Sequence, residues 1–94
     1  MTGTGVTVKN FTRTQFAQAG IDNPQFFQGK EVRVGLQGET YTGRLRVGRH
    51  GHIVFHAYPG QEYFGRKRFT IFDKKMNNYI AHVLDRVGVV ERRG

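Results

Sequence analysis

The 94-residue chain has no cysteine and no serine. The first absence excludes disulfides, thiolate nucleophiles and any zinc site with a Cys ligand; the second excludes a serine nucleophile. No stretch of about 18 consecutive apolar residues occurs, so no segment has the make-up of a membrane-spanning helix. The opening MTGTGVTVKNF lacks the charged start and apolar run of a signal peptide. The expected location is therefore the cytoplasm, or a host cytoplasm if the chain belongs to a phage or another virus. Internal repeats, low-complexity stretches and linkers are also absent. One domain over residues 1–94 is expected, with 1–5 flexible and 89–94 a tail. The Gly-rich pieces GLQGETYTG and GRHGH do not match a phosphate-cradling fingerprint between a strand and a helix, so no nucleotide cofactor is expected.

Acids are scarce. Fifteen Lys/Arg face seven Asp/Glu, giving a net charge of +8 and a pI near 10.5. Such a balance implies an anionic partner, nucleic acid first, with an acidic protein surface or an anionic membrane as alternatives. The surplus is concentrated between Thr40 and Lys75, where Arg44, Arg46, Arg49, Arg66, Lys67, Arg68, Lys74 and Lys75 meet only Glu62 and Asp73. Tyr41, Phe55, Tyr58, Tyr63, Phe64, Phe69, Phe72 and the histidines His50, His52 and His56 are threaded among them. Arginines that fit phosphates, interleaved with flat rings that can stack on bases, are what a nucleic-acid surface requires.

The hydrophobic period supplies the frame. Val6-Thr7-Val8 suggests a short strand. Thr12 is placed to cap a helical segment over Arg13–Ala19 that Gly20 would stop, and Pro24 opens a second helical turn over Pro24–Gln28 that Gly29 ends. Of the adjacent Phe26 and Phe27, at most one can point into a core. From Lys30 the period becomes two. EVRVGL, TYTGRLRV, HIVFHAY and RKRFTIF turn Val32, Val34, Leu36, Tyr41, Leu45, Val47, Ile53, Phe55, Ala57, Phe69 and Ile71 to one face. Arg44, Arg46, His52, His56, Tyr58, Arg66 and Arg68 fall on the other. After Asp73, a helix N-cap candidate, Met76, Tyr79, Ile80, Val83, Leu84 and Val87 form a helical stripe, with Gly88 as its stop. The expected fold class is α+β: a four-stranded antiparallel meander, one C-terminal helix packed on a face, and a short helical N-terminal segment. The helix over 74–87 could also serve as a homodimer contact through Tyr79 and Met76.

The expected function is non-catalytic binding of nucleic acid, single-stranded DNA or RNA in preference to duplex. Arg44, Arg46, Arg49, Arg66, Lys67 and Arg68 would contact phosphates; Tyr58, His52 and His56 would stack on or hydrogen-bond to bases. His52 and His56, four apart in a strand, stand about 13 Å from each other, too far to share a metal, and no metal is expected. An imidazole near neutral pH beside phosphate-holding arginines also fits a small ribonuclease, with His52 as its catalytic group. Docking on an acidic surface of a host protein is the third possibility.

Resemblances add to this reading. The segment GRKRFTIFDKKMNNYIAHVLDRV is similar to the close of the positive-cofactor-four and Whirly-like single-strand binders, and EVRVGL, TYTGRLRV and HIVFHAY fit their strand order over about residues 30–88. That likeness implies a dimer made through the helix and single-stranded DNA held across a basic sheet. GRHGHIVFHAY and the helix after it instead look like the HicA-type mRNA interferases, which implies a double-stranded-RNA-binding-like fold with His52 catalytic. GKEVRVGLQGETYTGRL resembles an Sm-like barrel.

Overall fold

A computed structural model describes residues 5–75 and 79–93. The meander is present: β2 Glu31–Leu36, β3 Glu39–Val47, β4 Ile53–Ala57 and β5 Arg68–Phe72 pair antiparallel in chain order. It is part of a larger, six-stranded antiparallel sheet. β1 Gly5–Thr12 and β6 Leu84–Arg93 extend it on the β2 side, giving the order β1-β6-β2-β3-β4-β5.

The N-terminal segment folds largely as its capping chemistry dictates. The helix α1, Arg13–Asp22, starts at Thr12, whose hydroxyl accepts the Gln15 N–H at 3.1 Å while the Gln15 side-chain oxygen accepts the Thr12 N–H at 3.0 Å. This reciprocal box satisfies two donors that a helix start leaves unpaired. Gly20 does not stop the helix; it lies inside it, where a Cβ would meet the Phe72 ring at 2.8 Å. Glycine there lets the helix backbone settle directly on an aromatic of the sheet. Pro24 opens the 3₁₀ turn Pro24–Phe27, and Gly29 follows it at φ 74°. Phe27 is buried and Phe26 half-buried, as two adjacent rings require.

The core lies between α1, the 3₁₀ turn and one face of the sheet. Phe16 packs edge-on against Phe27 and Phe72, with ring centres 5.0 and 6.0 Å apart, and Phe55 meets Phe69 at 5.2 Å. Val32, Val34, Leu36, Leu45, Ile53, Ile71, Leu84, Val87 and Val89 complete it. The period-two reading thus holds for the core side of the meander, while His52 and Arg66, expected on its outer face, lie outside the strands. A register shift between Ile53 and Val54 lets the neighbours Ile71 and Phe72 both be buried, the usual consequence of one extra residue on one side of a ladder.

The C-terminal helix is the main correction. Among the described residues of that stretch, Tyr79–Val83 is helical, as the short α2; Leu84–Arg93 is strand β6, and Gly88, expected as a helix stop, sits in that strand. Met76 lies outside the described residues. Ile80, Val83, Leu84 and Val87 satisfy a helical stripe, but VGVVERR is rich in β-branched valine, and β6 has an open strand edge on both sides to fill. It pairs with β1 from Gly5↔Arg93 to Thr12↔Arg86 and with β2 from Val32↔Val89 to Leu36↔Leu84. Two ladders, the second with a register shift between Gly35 and Leu36, outweigh a weak local preference for helix. The helix over 74–87, expected as a dimer contact, is therefore not formed, and residues 89–93 are the end of β6 rather than a loose tail.

Candidate functional site

The register defines the face opposite the core. Glu31, Arg44, His56 and Arg68 lie side by side in one row across β2, β3, β4 and β5. On one side of that row Arg46 pairs with Val54 and Val54 with Thr70. On the other, Arg33 pairs with Thr42 and with Gly88, and beyond them Gly35 pairs with Thr40 and with Arg86. Arg92 joins from β6. No helix or strand of the described residues covers this face, since α1 and the 3₁₀ turn pack on the other one. It displays Arg33, Arg44, Arg46, Arg68, Arg86 and Arg92.

Glu31 is a carboxylate within this field, and it is engaged; Asp85, beside Gly35, accepts the Gly38 N–H at 2.9 Å. Arg92 donates to Glu31 twice, Nε to Oε1 at 2.9 Å and Nη2 to Oε2 at 2.8 Å. These hydrogen bonds hold the Glu31 carboxyl below its usual range, helped by the charges of Arg92, Arg44 and Arg33 against the opposing effect of burial. Arg44 donates from Nη1 to the Gly29 carbonyl at 3.0 Å. Arg86 runs across the space that Gly35 leaves empty, its Cγ 3.1 Å from where a Cβ would stand, and donates from Nη2 to Thr40 Oγ1 at 2.8 Å. The bonds of Arg44 and Arg86 each fix a guanidinium while leaving further N–H groups for a ligand, because arginine carries five.

His56 is half-buried in the middle of the field. Burial, then the nearby charges of Arg46 and Arg68, pushes its imidazole below the ordinary histidine range, toward the neutral form. Tyr58 follows β4 on the same side, half-buried, its N–H bonded to the Thr42 carbonyl.

The other expected site residues are dispersed. Arg49 and His50 are exposed in the turn between β3 and β4. His52 precedes β4, and its ring occupies the space where a Gly48 Cβ would sit, so it lies on the turn and not on the open face. Arg66 and Tyr63 close a small hairpin around Phe64 and Gly65, ahead of β5, and the Lys67 carbonyl accepts the Ala57 N–H. Of the aromatics threaded through the basic segment, Phe55 and Phe69 are buried as their alternation requires, Tyr63 and Phe72 are buried as well, and Tyr41 packs against them. Tyr58 and the exposed Phe64 are the rings from that segment left for a ligand. Sequence reasoning missed Arg86 and Arg92 because β6 was read as helix and tail. Arg33 alternates with Val32 and Val34 and so shares the outward register, although the expected site did not include it.

A second feature lies beyond Thr70. His50, His52, Thr70, Asp73, Lys74 and Lys75 line an open cavity of about 430 Å³ where the β3–β4 turn meets the end of β5. Among the described residues no group of three or more His, Asp or Glu is placed to hold a metal ion, and no helix is long and apolar enough to cross a membrane. No family model, curated protein or solved structure matches the chain.

Proposed function

We propose that the chain binds single-stranded nucleic acid, DNA or RNA, across the open face of its sheet without acting on it chemically. One observation carries this reading: six arginines share a face that no other element of the described residues covers, and Glu31 among them is paired with one of the six. A stable fold gains nothing from mutual repulsion of this kind, whereas a polyphosphate offsets it. Six strands spaced about 4.8 Å apart give a surface roughly 24 Å wide. That is broad and shallow, suited to a strand laid flat with Tyr58 and His56 meeting its bases.

The test is fluorescence anisotropy of labelled single-stranded DNA, single-stranded RNA and duplex DNA across a salt series. With Arg33, Arg44, Arg46, Arg68 and Arg86 each meeting a phosphate, the slope of log K against log salt on single strands is expected at about −3 to −4. Absence of binding to every strand at moderate salt rejects the reading.

The cavity at the end of β5 favours a second reading, cleavage of bound RNA. It brings His52 together with His50, Lys74 and Lys75. One imidazole would take the proton of a 2′-hydroxyl as its oxygen attacks the adjoining phosphorus. The other would protonate the departing 5′-oxygen, and the lysines would balance the charge gathering on the phosphate. The products are a 2′,3′-cyclic phosphate and a 5′-hydroxyl, and no metal is consumed or required.

A further inference from the structure

Phe64 contradicts two rules of folding at once. Its backbone sits at φ 48°, followed by Gly65 at φ 75°, so the pair forms the two central residues of a tight hairpin turn closed by Tyr63 and Arg66. Asn or Gly is the favoured occupant of the first position, because a larger side chain is strained there. The ring is also 81% exposed, the highest value among the exposed large hydrophobic residues. Neither local geometry nor solubility accounts for a phenylalanine here, and strain of this sort collects at binding sites.

Its surroundings indicate what it meets. Phe64 stands edge-on to the buried Tyr63, ring centres 4.7 Å apart. Tyr63 donates its hydroxyl to Gln37 Oε1 at 3.0 Å, and Gln37 donates from Nε2 to the Tyr79 hydroxyl at 3.4 Å. Tyr79 is 64% exposed, so two solvent-facing rings are tied to one buried platform. Beside them Arg66, Arg68, Thr70 and Tyr79 line a shallow cavity of about 230 Å³. Arg68 belongs to both regions, since it also pairs with His56 on the open face. The hairpin's acid, Glu62, accepts the Gly60 N–H at 3.1 Å within the loop. Exposed rings beside Arg66, Lys67 and Arg68 match a base and its phosphates better than an apolar protein pocket.

We infer that Phe64 and Tyr79 form a stacking site for unpaired bases beside β5, with Arg66 and Arg68 holding the adjoining phosphates as the strand leaves the sheet face. This inference rests on the reading that the chain binds single strands. It adds the element that would discriminate unpaired from paired bases.

The experiment compares the unaltered chain with Phe64→Leu, Phe64→Trp and Tyr79→Ala. The probes are a labelled single-stranded oligodeoxynucleotide containing 2-aminopurine and the corresponding duplex. Leucine keeps apolar bulk but has no ring; tryptophan keeps the ring. The expected result is that Phe64→Leu binds the single strand about 5- to 100-fold more weakly, with an unchanged salt slope and unchanged duplex affinity. Phe64→Trp should bind like the unaltered chain, and 2-aminopurine fluorescence should be quenched on binding. Tyr79→Ala should show a smaller loss of the same kind. If the chain binds single strands and Phe64→Leu binds them equally well, the inference falls and the sheet-face reading stands. If the unaltered chain binds no strand, both fall together.

Discussion

Arg92 holds Glu31 with both arms of its guanidinium, at 2.9 and 2.8 Å, from one strand to the next. The pair neutralises an acid that faces the other arginines of the open sheet surface. It also keeps one arginine out of use. Phosphates and this carboxylate compete for the same guanidinium fork, so the pair limits how much of the basic face a ligand can reach.

Glu31→Gln should therefore raise affinity for single-stranded DNA several-fold at low salt and steepen the salt slope by about 0.7, one additional phosphate contact. The same substitution should lower the melting temperature slightly at neutral pH. Because the Glu31 carboxyl is held below its ordinary range, its contribution is present above the unfolded carboxylate pKa of about 4.3. It disappears as pH falls through the lower folded value, so the melting temperatures of the two proteins should converge in acid. A gap that persists at pH 2 would mean that Glu31 acts by packing alone.

Removing Arg44 and Arg46 together should weaken binding uniformly across sequences and flatten the salt slope by about two contacts' worth. The two occupy neighbouring outward positions of β3, in the rows that contain His56 and Val54. An unchanged slope excludes them from the contact. A loss confined to particular sequences would make them base readers instead.

The meander was legible because its strands repeat one pattern and its turns carry their own chemistry. Val32, Val34, Leu45, Ile53, Phe55, Phe69 and Ile71 alternate with polar residues, and Gln37-Gly38 forms a tight turn with positive φ at both residues. β6 was not legible in the same way. Ile80, Val83, Leu84 and Val87 fit a helix locally, and what decides against one is the pair of open edges offered by β1 and β2, which no window of sequence displays. A third of the face's arginines went unseen with it, since Arg86 and Arg92 are placed there only by β6. Conversely, a ring in a basic segment cannot be assigned to core or surface from composition. Phe55 and Phe69 are packed while Phe64 is exposed, and the difference is set by register and turn geometry.

Gly43 gives a stability test independent of function. It lies in β3 on the core side, and a Cβ there would collide with the His56 carbonyl and stand 2.8 Å from the Phe55 ring. The backbone oxygen cannot yield without breaking the β3–β4 ladder. Gly43→Ala should cost about 3 kcal/mol or more and lower the melting temperature by more than about 10 °C. A change of a degree or two would show that the Phe55 ring and the strand can shift at little cost.

His56 should report phosphate binding through protons. Burial, with Arg46 and Arg68 beside it, sets its pKa below that of an unfolded histidine, about 6.5. The folded chain thus binds fewer protons than the unfolded one just below that value. Its stability contribution is complete above pH 6.5 and declines as pH falls toward the folded pKa, and His56→Gln should remove this component. A phosphate over the row Arg44, His56, Arg68 reverses the local field and favours the imidazolium. Single-strand affinity should then rise as pH drops from about 7.5 to 5.5, with proton uptake visible as a dependence of binding heat on the buffer's ionisation enthalpy. His56→Gln should lose both effects. Equal proton uptake by the variant would place the phosphates away from β4.

Cleavage of RNA separates the two readings of the site. If the cavity of His50, His52, Lys74 and Lys75 is chemically active, incubation with single-stranded RNA should yield fragments ending in 2′,3′-cyclic phosphate. The corresponding DNA, which has no 2′-hydroxyl, should stay intact. His50→Ala and His52→Ala should each lower the rate by about 100-fold or more, the usual scale of a positioned acid or base, while binding on the sheet face is retained because neither histidine lies on it. Intact RNA after prolonged incubation, under conditions where anisotropy shows it bound, leaves the basic face as a binding surface and removes chemistry from the cavity. Cleavage that survives both substitutions would point to a contaminating nuclease, since the proposed route has no other imidazole in that cavity to use.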